Sequence, residues 1–158
     1  MKRCILLYVA MLGIGVSAFA QTDRIPRFEQ YPAKVEQARV KDIRFRADPD
    51  TRRFRTVLRE ALAEGVDFAG HYIIASWGCG TSCLVNAIID ARTGNVYWPK
   101  QLGVIYSLFD EPINYRADSR LLVLSVPTSE KGDVRRDSYY EWKGHRLRLL
   151  RTVQGKSN

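Results

Sequence analysis

Residues 77 to 83 read WGCGTSC, and with Cys4 set aside in the leader they hold both remaining cysteines, Cys79 and Cys83. Two cysteines four apart, around Gly80, Thr81 and Ser82, suit three chemistries. The first is a disulfide, the ordinary fate of an even pair in an oxidising compartment. A tight loop between antiparallel strands brings Cα atoms within the roughly 4.4–6.8 Å that a bridge requires. Closing so small a ring removes little unfolded-state entropy, about 2 kcal/mol, so it shapes the loop more than it stabilises the fold. Gly78 and Gly80 allow the backbone geometry such a ring demands. The second chemistry is a thiolate nucleophile, Cys79, with His71 eight residues upstream as its base. A second thiol four residues away would tend to oxidise it. The third is zinc, since Cys79, Cys83, His71 and His145 add up to a Cys2His2 set. Only the cysteines have ligand-like spacing, and His145 begins a strand just after a turn. The sequence holds no GxSxG, phosphate loop or HExxH. The disulfide reading is carried forward, with no metal, no cofactor and no assembled catalytic set.

The elements that must position this loop follow from periodicity. Asp48 suits a helix cap, Pro49 the first helical position and Gly65 the exit. Phe54, Val57, Leu58, Ala61 and Leu62 form the i, i+3, i+4, i+7, i+8 stripe of one amphipathic helix. Its other side carries Arg52, Arg55 and Arg59, a solvated face or an anion contact. After Gly65 come runs rich in β-branched and aromatic residues. FAGHYIIASW (68 to 77) and LVNAIID (84 to 90) are strands joined through WGCGTSC, and Gly70 marks a bulge or close backbone approach. ARTGN turns the chain into VYW (96 to 98), with Gly94 free to take positive φ. QLGVIYSLF, INYR, RLLVLSV, DSYYEW and HRLRLL supply the rest, with Leu147 and Leu149 alternating against Arg146 and Arg148 on the last. Upstream, Gln21 to Ala47 reads as an extended lead-in with one short strand near Lys41 to Arg46. The predicted class is α+β: an antiparallel meander of about six to seven strands packed against one amphipathic helix.

Compartment follows from the first residues. MKR precedes an apolar run from Cys4 to Ala20 that ends in Ala18, Phe19 and Ala20, the pattern of a secretory signal cleaved after Ala20. The chain therefore divides into a signal (1–20), the lead-in (21–47), one α+β domain (48–153) and a short tail (154–158). No later apolar stretch is long enough to span a bilayer, which predicts a periplasmic or secreted protein. Among 158 residues the formal net charge is +8. A basic surface outside the cytoplasm meets acidic envelope proteins or polymers rather than nucleic acid.

Two resemblances bear on this. SWGC resembles the SxGC element of L,D-transpeptidases, periplasmic enzymes that acylate a cysteine, and implies Cys79 as nucleophile with His71 as base. Trp77 stands where that family has histidine, and Gly80 where a basic residue follows the cysteine. More of the chain, about residues 45 to 150, resembles a recurrent domain of small exported bacterial proteins of unknown role. Its marks are FAGHY, WGCG with a second nearby cysteine, and IIDAxTGxVY, here IIDARTGNVY. That likeness implies one domain and assigns no catalytic residue. The function expected is a non-enzymatic binding module, an inhibitor or envelope accessory, whose stapled loop, Trp77 and Arg52, Arg55 and Arg59 meet the partner. The alternative is a cysteine-dependent cell-envelope enzyme built on Cys79 and His71.

Overall fold

The computed structural model describes residues 24–37, 39–45, 48–106, 111–129 and 134–156, so the segment expected to be a signal, residues 1–20, lies outside the described residues. The elements run α1 (Pro49–Arg53), α2 (Arg55–Glu64), β1 (Tyr72–Gly80), β2 (Cys83–Asp90), β3 (Val96–Tyr97) and β4 (Val104–Tyr106). They continue with β5 (Ile113–Tyr115), β6 (Leu121–Pro127), β7 (Val134–Trp142) and β8 (Leu147–Lys156).

The helix expected as one piece is hinged at Phe54. Asp48 caps it as anticipated, its carboxylate accepting from the Asp50 and Thr51 backbone N–H groups and from the Thr51 hydroxyl at 2.9 Å. Gly65 ends it with φ 102°. Phe54 departs from helical geometry (φ −99°, ψ 22°), yet its N–H still donates to the Asp50 carbonyl and its carbonyl accepts from Leu58. These two bonds of Phe54 keep the two helical pieces joined across the bend. The bend sets the Phe54 ring against Trp77 and Trp98, and aromatic burial of that kind outweighs one imperfect turn. Leu58, Ala61 and Leu62 are buried, as the stripe predicts.

The single meander is corrected to two four-stranded antiparallel sheets. The first has the order β1-β2-β3 with β4 also on β2, and the second the order β5-β6-β7-β8. β2 is long enough to hold two partners, β3 at Ile88 and Ile89 and β4 at Cys83 to Val85. The chain after β3 therefore folds back onto the same strand instead of extending the sheet. Alternation along β1 and β2 gives the first sheet two apolar faces. Ile73, Ala75, Ala87 and Ile89 pack with α2, while Tyr72, Ile74 and Ile88 pack with Leu122, Leu124 and Trp142 of the second sheet. The layers are helix, sheet, sheet.

Lys41 to Phe45 form no strand, contrary to expectation. The lead-in instead lies along the body, where Ala33 N–H donates to Asp118 (2.7 Å), Glu36 N–H to Gly70 (2.7 Å) and Arg44 N–H to Gly94 (2.8 Å). The last two of these contacts require glycine at their acceptors. A Cβ on Gly70 (φ 87°) would lie 2.5 Å from the Lys34 carbonyl oxygen, and one on Gly94 (φ 75°) 2.7 Å from that of Asp42. FAGHY is accordingly a turn that leads into β1 at Tyr72 rather than the start of a strand. At the other end β8 continues through Lys156. Leu147 is buried, but Leu149 is 55% exposed on this outer strand, and a bulge at Leu150 follows it.

Candidate functional site

The β1–β2 hairpin pairs regularly to Gly78 opposite Leu84, then shifts register to Gly80 opposite Cys83. Cys79 and Cys83 are disulfide-bonded with their Cα atoms 5.1 Å apart. Gly80 (φ 138°) and Ser82 (φ 55°) take the positive φ that so short a ring imposes, and Ser82 does so with a side chain. Gly78 through Ser82 are exposed. A closed ring thus holds a tip that has few other contacts to hold it.

The root of the tip is rigid. Trp77 lies 4.8 Å from Phe54 and 6.0 Å from Trp98, edge-on to the latter. The Trp98 indole N–H donates to the Thr51 hydroxyl oxygen at 3.1 Å, and that hydroxyl donates on to Asp48. Helix cap, bend and hairpin are therefore one connected unit. Trp77, named from sequence as a contact residue, is half-buried and serves mainly as the floor of the tip.

Beyond this floor the sheet face loses its helical cover. The register Cys83↔Tyr106 and Val85↔Val104 places β4 side chains beside the disulfide, on the helix side of the sheet. Val104 is 55% exposed and Tyr106 70%. Sequence reading missed this, because VIY in a strand looks like core and only topology shows that no layer among the described residues covers it. Arg52 and Arg55 are exposed beside the bend and make no ion pair among the described residues, while the Arg53 guanidinium sits 5.3 Å from the Phe54 ring centre. Arg59 differs. It forms a two-pronged pair with Asp42 (2.9 and 2.8 Å) and lies 4.8 Å from the Phe45 ring, so its charge is already matched. That pairing, with a hydrogen bond from Ile43 N–H, holds the Asp42 carboxyl down at about 2. Arg148 pairs with Glu141 on the second sheet, which lies on the opposite side of the first sheet from the helix. The helix arginines and the last strand do not form one patch.

The structure does not bring His71 to Cys79. They stand at opposite ends of β1, eight residues or about 26 Å of extended chain apart, and both sulfurs are engaged in the bridge. His71 is half-buried and stacks on Tyr72 at 4.1 Å; burial and then Arg92 push its imidazole below the usual value. His145 is exposed, and no group of His, Cys, Asp or Glu that could hold a metal occurs among the described residues.

The hairpin's other face borders an open groove of about 500 Å³, lined by Ser76, Leu84, Glu111 and the strand Ile113–Tyr115. At its back the Tyr115 hydroxyl donates to Asp67 at 3.1 Å, and the other Asp67 oxygen accepts from Ile74 N–H at 2.9 Å. Asp67 thereby ties the edge of the first sheet to the second. Burial pushes its carboxyl up to about 6 despite these bonds.

No family model, curated protein or solved structure matches the chain.

Proposed function

We propose that this chain is an exported, non-enzymatic recognition module that meets a macromolecular partner through the stapled tip and the bare sheet face beside it. The carrying observation is an exposed five-residue tip, Gly78 to Ser82, locked by Cys79–Cys83 on a floor of Trp77, Phe54 and Trp98. A surface ordered before binding loses little conformational entropy on contact, and hence more of its contact energy appears as affinity. Val104 and Tyr106 add apolar area that most surfaces hide, and Arg52 and Arg55 add unmatched positive charge. The motifs that resemble small exported bacterial domains fit the same reading. FAGHY turns the chain into β1, WGCGTSC is the tip, and IIDARTGNVY runs from β2 through the turn to β3.

A photo-crosslinking residue in place of Tyr106, expressed in the exported protein, tests this. Illumination should yield a discrete adduct from position 106 and none from the same residue placed at Leu149, also a solvent-facing site, on the second sheet. Equal adducts from both positions, or none from 106, reject the tip as the contact.

A further inference from the structure

The ladder around β4 determines where its backbone groups point. Asn86 N–H donates to the Gly103 carbonyl at 3.0 Å, so Gly103 faces β2. Facing alternates along a strand paired antiparallel, and Ile105, opposite Leu84, therefore also faces β2. Val104 and Tyr106 consequently direct their N–H and C=O groups away from the sheet. No strand pairs with that side among the described residues. Natural edges are guarded by lysine, proline, inward charges or bulges. This one reads Val104, Ile105 and Tyr106, with no charge and no proline, and two of its three side chains are more than half exposed.

We infer that β4 is a docking edge for an extended acidic segment of a partner protein, which adds as a strand beside Val104 and Tyr106. This rests on the recognition reading above. Strand addition gives affinity through main-chain hydrogen bonds and specificity through alternate side chains. The alternate side chains here would meet Tyr106, Val104 and the cations at the helix bend. Thr51 holds that bend to Trp98, in the segment that follows β3, and Phe54 packs on Trp77 and Trp98, so the bend that carries Arg52, Arg53 and Arg55 sits on the helix side of the first sheet, the face to which Val104 and Tyr106 belong. Their charge selects an acidic occupant. It also disfavours a second copy of this chain, which with a formal charge of +8 would bring like charges together across the edge.

The test uses a fluorescein-labelled ten-residue peptide of alternating valine and glutamate, with the protein at full mature length and oxidised. Binding should be saturable, and should fall about tenfold on N-methylation of alternate backbone nitrogens, which removes main-chain donors while keeping the side chains. Replacing the glutamates by lysine should abolish it. Val104→Pro should weaken binding by a similar factor, whereas Val104→Thr should keep it; the proline removes an outward N–H and no internal hydrogen bond, so the circular dichroism spectrum should not change. Val104→Pro protein that binds like wild type overturns the edge. If Val104→Pro is silent while Cys79→Ser/Cys83→Ser loses binding, strand addition fails and the tip reading stands. A concentration-dependent dimer in sedimentation that Val104→Pro disrupts would make a second copy the occupant and overturn the acidic partner.

Discussion

Cys79, Cys83 and Ser82 show what a small ring does. The bridge closes only a few residues, so replacing both cysteines by serine should cost about 2 kcal/mol of stability in urea unfolding. The larger effect should fall on the tip, because Ser82 holds positive φ only while the ring requires it. Asp67 carries a different kind of consequence. Its carboxyl is raised to about 6 by burial, so between the unfolded value near 3.8 and that point the native state holds the proton more tightly than the unfolded chain. The group's stabilising contribution is therefore complete below about pH 4 and is lost as pH rises through 6, by up to about 3 kcal/mol. Asp42 has the opposite sign: its contribution is present above the ordinary carboxylate range and is lost as pH falls towards 2. Urea midpoints measured at pH 4, 5, 6 and 7 should show Asp67→Asn gaining on wild type across that interval. A constant difference between the two proteins would mean that Asp67 titrates normally.

At the scale of elements, the lead-in is a strap rather than a spacer. Gly70→Ala would place a Cβ against the Lys34 carbonyl oxygen in a positive-φ turn. It should cost about 2 kcal/mol or more, a fall in thermal midpoint of about 8 °C by calorimetry. Midpoints that stay within a degree would show that the strap does not bear on the fold. Local signals explain what was legible in the sequence. Asp48, Pro49 and Gly65 mark the helix ends because capping is local chemistry, and ARTGN marks its turn because Gly94 needs positive φ. The bend at Phe54, the return of β4 onto β2 and the division into two sheets were not legible. Each depends on which distant surface a segment packs against, and periodicity names a face without naming its partner. Among the site residues, the cysteine pair was legible from its spacing, read with the oxidising compartment that the leader pattern leads one to expect. The pairing of Arg59 was not legible because its partner Asp42 lies 17 positions upstream.

At the scale of the molecule, charge and shape divide the labour. The first sheet is covered by helix on one face and by the second sheet on the other, and its hairpin end, with Val104 and Tyr106 of β4, is exposed. An association steered by Arg52, Arg53 and Arg55 should weaken several-fold between about 50 and 300 mM salt, as charges in contact with solvent are screened. Arg52→Glu/Arg55→Glu should weaken it further and flatten that dependence, measured by fluorescence anisotropy. The most direct measurement compares the oxidised protein with Cys79→Ser/Cys83→Ser for affinity towards the partner captured at position 106. Preorganisation of the tip predicts at least about tenfold weaker binding by the serine protein with the near-ultraviolet circular dichroism of the core unchanged. Affinities within about twofold of each other would contradict it.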